Sequence, residues 1–440
     1  MFRTRRDGTV RGMKTPLLVP FAVLCLACEE PPRAPLPALP DVCEGTPARS
    51  VDFVTEVQPV LEAKCAGCHR AGGAGPFPLE TPDQMRTMAG SLRSSVCRRA
   101  MPPWPPHRSC NSYVGDRSLT DEQIVRIRDW VDTGADITGA VARPLPPPTG
   151  LSRVDTVLTL PEPYLPTSAP DDYRCFVMDL GNQTDRFITG FGVEPDLENQ
   201  VHHVVVFRVA PDKAATYTDA EATYDGPGYP CFGGPAPSTG DQAPTAGNVP
   251  SMVGVWAPGV SGVDLPAGTG VRITPGTRLV VQMHYNLTAS TPGFDQSKVL
   301  LRLDDAVERE AFMLPFADPR WVRDEAMDIP AGARDAFHAF RMKSDLIVSR
   351  ASKGVLPADA PFEVHGGMLH MHTRGTWASL SVEHGAQTRC IKSPTRVEPG
   401  DDLRIECHWN NEGPASSALN WGEGTGDEMC VGFVYVTAAR

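Results

Sequence analysis

A chain of 440 residues, 41% of them hydrophobic and 21% charged, carries apolar material for two or three separate cores, which excludes a disordered chain. A formal net charge of -12, with no basic cluster beyond the N-terminal segment, excludes nucleic acid as an expected partner and reads as a solvated acidic surface.

Arg3, Arg5, Arg6 and Lys14 precede an apolar run from Leu17 to Ala27 that is too short to span a bilayer comfortably. Residues 1–28 are therefore expected to be an export signal. Leu24-Cys25-Leu26-Ala27-Cys28 is similar to a bacterial lipoprotein signal with Cys28 as the lipidated residue. Cys25 stands where leucine is usual, and a plain signal peptide is the alternative. The expected location is the periplasm or outer membrane of a bacterium, with membrane contact only through a lipid anchor. In that setting the glycosylation-like Asn286-Leu287-Thr288 carries no meaning. Residues 29–48 follow as a proline-rich tether.

Phe53, Val57, Val60 and Leu61 give a helix-spaced apolar stripe. Directly after it stands Cys65-Ala66-Gly67-Cys68-His69, the pattern of covalent c-type haem attachment. Two thioethers hold the ring there, and the neighbouring histidine reaches the iron. A zinc half-site would need a second pair at zinc spacing, and a thioredoxin-like motif would need a βαβ context; the sequence has neither. Thr120 and Gln123 form a capping box for a helix with Ile124, Ile127, Trp130 and Val131 on its buried face, ended by Gly134. The prediction is a small all-α cytochrome c domain over residues 49–140. Arg99-Ala100-Met101-Pro102-Pro103-Trp104 resembles the distal-methionine loop of small bacterial cytochromes c, which makes Met101 the expected sixth ligand; Met85, Met88 and His107 compete. A histidine–methionine pair raises a haem potential and suits a one-electron relay.

Residues 141–152, with Pro144, Pro146, Pro147 and Pro148, read as a polyproline-like spacer that holds this domain apart from the rest. From about Leu151 onward, β-rich runs are broken by Gly, Pro, Asn and Asp at the spacing of a β-sandwich. Residues 219–248 form a long Gly/Pro-rich loop. Val201–Val209 and Leu279–Tyr285 read as strands. The first carries His202-His203 and the second His284. Farther on come His370-Met371-His372 and Met429. Five imidazoles and a thioether, with no acidic oxygen among them, favour copper over magnesium, calcium or manganese. His370 and His372 share a strand face, whereas His202 and His203 can meet one ion only if the strand end is bent or bulged, or if one ring swings round.

Several words of this region, in order over roughly residues 155–440, are similar to the copper type II, ascorbate-dependent monooxygenases, the family of peptidylglycine and dopamine β-monooxygenases. They are His-His-Val-Val-Val-Phe (202–207), Val-Trp-Ala-Pro-Gly (255–259), Val-Gln-Met-His-Tyr (281–285), Leu-His-Met-His (369–372), Gly-Asp-Asp-Leu-Arg-Ile-Glu-Cys (400–407) and Asp-Glu-Met-Cys (427–430). The resemblance implies two antiparallel, jelly-roll-like β-sandwich domains, over residues 153–305 and 306–440, facing each other across a solvent-filled cleft. It implies an electron-transfer copper on His202, His203 and His284, and an oxygen-binding, catalytic copper on His370, His372 and Met429. It also implies a Cys407–Cys430 disulfide. Where peptidylglycine enzymes place an arginine, an asparagine and a tyrosine to hold a peptide carboxylate, this chain has Met368, Val431 and Phe433, none of which offers a charge-assisted bond.

The expected function is thus an exported copper monooxygenase that hydroxylates a C–H bond of a small organic substrate, not a peptide carboxylate, with dioxygen. Its cofactors would be two copper ions, one covalent haem, and ascorbate or another one-electron reductant, with an electron-donor protein as a further partner. The alternative is a membrane-anchored haem and copper electron-transfer or copper-binding protein without hydroxylase activity. Of 12 cysteines, two go to haem and two to the signal; the remaining eight suit an oxidising compartment. Cys97 is expected to pair with Cys110. Cys231 is favoured as the mate of Cys175, but the pairing of Cys43, Cys175, Cys231 and Cys390 stays open. His365 reads equally as support for a copper ligand and as a solvent-facing strand-end residue. His408 is given no role, and Asp427 and Glu428 read as a turn into the last strand.

Overall fold

Helices form in the N-terminal part where the sequence offers caps. The computed structural model describes residues 42–440 except 48, 108, 111, 112, 114, 146–149, 237–249, 260, 289, 290, 325, 414 and 415. The export signal with Cys25 and Cys28, most of the tether, the middle of the proline spacer and the distal part of the Gly/Pro-rich loop lie outside the described residues. Asp52 caps a π-helical turn, Phe53–Val57, that runs into the helix Gln58–Lys64. Pro82–Thr87 and Ala89–Cys97 follow, and Asp121–Asp132 begins at the expected box of Thr120 and Gln123. Phe53, Val57, Leu61, Ile124, Ile127 and Trp130 pack into one core with Leu79 and Met85. Met85 is fully buried there and is a packing residue.

The rest of the molecule is mostly β-sheet, in layered units as in a β-sandwich. In the first unit, Thr156–Thr159, Lys298–Asp304, Arg186–Glu194 and Thr269–Ile273 make one layer. Ser251–Trp256, Val201–Val209, Arg278–Asn286 and Asp171–Asp179 make the other. Ile188, Leu301, Phe176, Val204 and Val281 meet between the two layers. In the second unit the layer Ala336–Lys343, Asp402–Trp409, Gly375–His384 and Gln387–Cys390 covers Arg309–Phe316, Val431–Ala438 and Phe362–His370. Leu380 and Ile405 pack there on Phe312, Val364 and Val434. Such burial of a strand face is worth about 25 cal/mol per Å² of apolar surface. The strand Arg309–Phe316 also reaches Met252 through Met313 and Thr269 through Arg309, so the hydrogen-bonded sheet runs from one unit into the other.

Four disulfides are formed among the described residues: Cys43–Cys97, Cys110–Cys390, Cys175–Cys231 and Cys407–Cys430. The last two agree with the sequence reading. The expected Cys97–Cys110 bond is corrected. Cys97 ends its helix against the helical core beside Cys43. Beyond it the chain leaves the helices, and Pro106 bridges to Ala378 of the second β unit. Cys110 therefore lands on Cys390, 280 residues away in sequence. Nor does the proline spacer hold the helices apart from the sheets. Arg70 pairs with Glu198, and His107 donates its amide to the Ala378 carbonyl at 2.8 Å. The loop over residues 98–118 carries the connection.

Candidate metal centres

The strand Val201–Val209 supplies His202 and His203, and its neighbour Arg278–Asn286 supplies His284. Their pairing register is Val201 opposite Tyr285 and then His203 opposite His284, so His202 is an extra, bulged residue. The bulge turns the two adjacent rings to one side, as the sequence requires for a shared ion. His284 Nδ1 stands 3.0 Å from His202 Nδ1 and 3.2 Å from His203 Nδ1. One nitrogen of each ring lies within 4.8 Å of the others.

Asp171 holds the far side of the His284 ring, accepting from Nε2 at 2.9 Å. That bond places the proton on Nε2 and leaves the Nδ1 lone pair facing the other two histidines. Tyr173, directly across the ladder, stacks on the His284 ring at 4.1 Å. Burial, then the neighbouring His202, takes His284 down to about 4. Burial likewise lowers His202, and lowers His203 well below its usual value. All three imidazoles are thus pushed toward the neutral, metal-binding form, with one nitrogen of each facing the others. A cation of borderline softness fits this set.

His370 ends the strand Phe362–His370 opposite Val431. Met429 stands two residues before Val431 in the chain and lines a cavity together with His370. The His370 and His372 rings are 5.1 Å apart, and burial together with His372 takes His370 down to about 3. His372 Nδ1 donates to the Asp427 carbonyl at 2.9 Å, so its Nε2 is the atom left for a metal. Glu428 fixes the turn between them: its carboxylate accepts from the His372 amide at 3.1 Å and from Trp409 Nε1 at 2.9 Å. This carboxylate is buried, which raises its pKa, and it is more than the simple turn residue the sequence suggested.

The two histidine groups do not face each other across an open cleft. The ring centres of His203 and His370 are 6.0 Å apart. A network between the β units draws them together. Asp171 accepts from the Thr425 amide at 2.9 Å and from its hydroxyl at 2.6 Å, and Asn286 donates to the Thr425 hydroxyl at 2.7 Å. Tyr173 donates to the Glu423 carbonyl at 2.6 Å. Burial alone would raise the Asp171 carboxyl, but the bonds from Thr425 outweigh it and hold the group below its usual value. Asp171, Thr425, Tyr173 and Glu428 carried no sequence signal of their own, since each acts only through a distant partner.

A cavity of about 2290 Å³ is lined by His202, His203, His370 and Met429. Cys65, Cys68, His69 and Met101 line the same cavity. Cys65 and Cys68 are not disulfide-bonded, and burial pushes the Cys65 thiol up to about 12, which leaves no reactive thiolate there. His69 Nδ1 donates to the Phe77 carbonyl at 3.1 Å, leaving Nε2 as its open ligand atom. Gly75 lies so close that a Cβ on it would fall 2.6 Å from His69 Nδ1. Met101 is 41% exposed. Its competitor His107 is turned away, bonded to Ser109 and packed on Trp377 at 4.9 Å. His365 bonds to Thr437 rather than to either histidine group, and His408 is held by Asp335 and Glu406. No protein-family model matches the chain, and no curated protein matches it.

Proposed function

We propose that this chain is an exported copper monooxygenase, of the ascorbate-dependent type II kind, that hydroxylates a C–H bond of a small, neutral or apolar organic substrate with dioxygen. The observation that carries the reading is the clustering of five imidazoles from two β units, of which His202, His203 and His370 line one cavity together with Met429. His202, His203 and His284 would hold one copper, and His370, His372 and Met429 the other. Oxygen insertion consumes two electrons while copper cycles by one, so a pair of coppers supplies the required equivalents, and a thioether favours the cuprous state.

The remaining residues bind and exclude. Met368, Val431 and Phe433, at the positions where a peptide carboxylate would be held, all line the cavity, beside Phe207, Met252 and Met313. These six side chains suit an apolar body and themselves offer a carboxylate no charge-assisted bond. Asp171 and Glu428 keep the histidines in one orientation, and burial keeps the rings neutral.

Cys65, Cys68 and His69 fit a covalent haem, with an open thiol pair, a neutral imidazole with a free Nε2, and apolar space lined by Leu79, Leu92 and Val96. Such a haem supplies one-electron transfer from ascorbate, a similar reductant or a donor protein. Export agrees with the four disulfides. No helix among the described residues is long and apolar enough to cross a membrane.

The test is product analysis after copper-loaded protein is incubated with ascorbate, oxygen and small apolar substrates. An oxygenated product is expected from the parent protein. Met429→Ala should lose hydroxylation while copper stays on the three histidines. Full activity in that variant refutes the assignment, and oxygen uptake without product favours the non-hydroxylating electron-transfer alternative.

A further inference from the structure

The helical segment is docked at the cysteine pair itself. Arg117 Nη1 donates to the Pro258 carbonyl at 3.0 Å and contacts Cys68 Sγ at 3.5 Å. Gly259 stands at φ +105°, and a Cβ on it would fall 2.0 Å from Arg117 Nη1. That glycine is needed for its backbone conformation, and its missing side chain leaves the place that the guanidinium takes. Pro258 follows closely on Trp256, which lines the cavity and pairs with Val204 in the strand of the histidines. On the other side of the motif Arg70, next to His69, makes two bonds to Glu198, the longer at 3.2 Å. The Leu197 carbonyl beside it accepts from Val201 at the head of the same strand. Arg70 thus fastens the cysteine–histidine loop to the approach to the strand that presents His202 and His203, and Arg117 links Cys68 to the end of its neighbour Ser251–Trp256 on the same side.

We propose that electrons pass within one molecule from the haem carried by Cys65 and Cys68 to the copper held by His202, His203 and His284, with Arg117 as the bridging residue; this rests on the functional reading above. The route runs from the Cys68 sulfur through the Arg117 guanidinium to the Pro258 carbonyl, Trp256, and across the ladder to Val204 and His203. Each link is a covalent bond, a hydrogen bond or a polar contact, and electrons tunnel farther through such links than across a gap. In each event one electron leaves the haem iron, which goes from ferrous to ferric. One cupric ion becomes cuprous, no proton moves, and a soluble one-electron reductant or donor protein restores the haem.

The experiment starts from anaerobic full-length protein with both metals oxidised and iron and copper assayed. A substoichiometric one-electron pulse reduces the haem, and its absorbance is followed together with the cupric electron paramagnetic resonance signal. The expected result is first-order haem reoxidation at a rate independent of protein concentration, matched by loss of the cupric signal. The phase should vanish when His202→Ala and His203→Ala remove that copper. Arg117→Leu should slow it by tenfold or more with metal content unchanged, and Arg117→Lys should restore part of the rate. A rate proportional to protein concentration, or an unchanged rate in Arg117→Leu, overturns the proposal alone. A starting protein that lacks haem iron or copper overturns the functional reading with it.

Discussion

At the scale of single residues, the histidines owe their state to groups that never reach the cavity centre. Asp171 fixes the His284 ring from behind, and carboxylates in that position typically change metal affinity by about 10- to 100-fold. Asp171→Asn is accordingly expected to weaken copper binding at the three histidines by about that factor, measured by competitive titration against a chelator. Unchanged affinity would show that the ring is held by Tyr173 stacking alone. Glu423 lies in the loop before Met429, where burial, with Asp427 beside it, raises its pKa from 4.5 to about 7. The folded state therefore binds this proton more tightly than the unfolded state. Its stabilising contribution is complete below the unfolded pKa and is lost as pH rises through about 7. Glu423→Gln should flatten the dependence of Tm on pH between about 5 and 8; the same slope in the variant would remove Glu423 from the account.

At the scale of elements, what could be read from the sequence was what neighbouring residues decide. Thr120 and Gln123 announced the helix Asp121–Asp132 because a capping box is a local device. An irregularity at His202 was legible because adjacent side chains of a regular strand face opposite ways, and of the bend, bulge or swung ring that would answer it the structure has the bulge. The staple between Cys110 and Cys390 was not legible. Cys97 lies close to Cys110 in sequence, but the proline-rich loop after Met101 carries Cys110 out to the edge strand Gln387–Cys390. Nor could the contact of His203 with His370 be foreseen, since it depends on Thr425 and Asp171 closing one β unit on the other. Replacing Cys110 and Cys390 by serine should cost on the order of 2–5 kcal/mol, and hydrogen exchange should quicken first over residues 98–118. Uniform exchange in the variant would mean the loop is held by its backbone bonds to Ala378 without the staple.

For the whole molecule, the strands that meet at the two histidine groups come from both β units, so metal binding there should stabilise the assembly and not one unit alone. Copper at about a hundredfold above its Kd should add about 2.7 kcal/mol per site. Chelation should lower Tm, with the two β units still melting together, and copper should restore it; a Tm indifferent to both treatments would argue that no metal binds the folded chain. The staple between Cys110 and Cys390 also imposes an order on assembly. It encloses both strands that carry the three-histidine group, and it cannot close until residue 390 has emerged from synthesis. By then every residue of the helical core, which ends near residue 135, has long been made. The seal thus waits for the edge strand Gln387–Cys390 to reach Cys110, and molecules whose distal half never brings it there go without it.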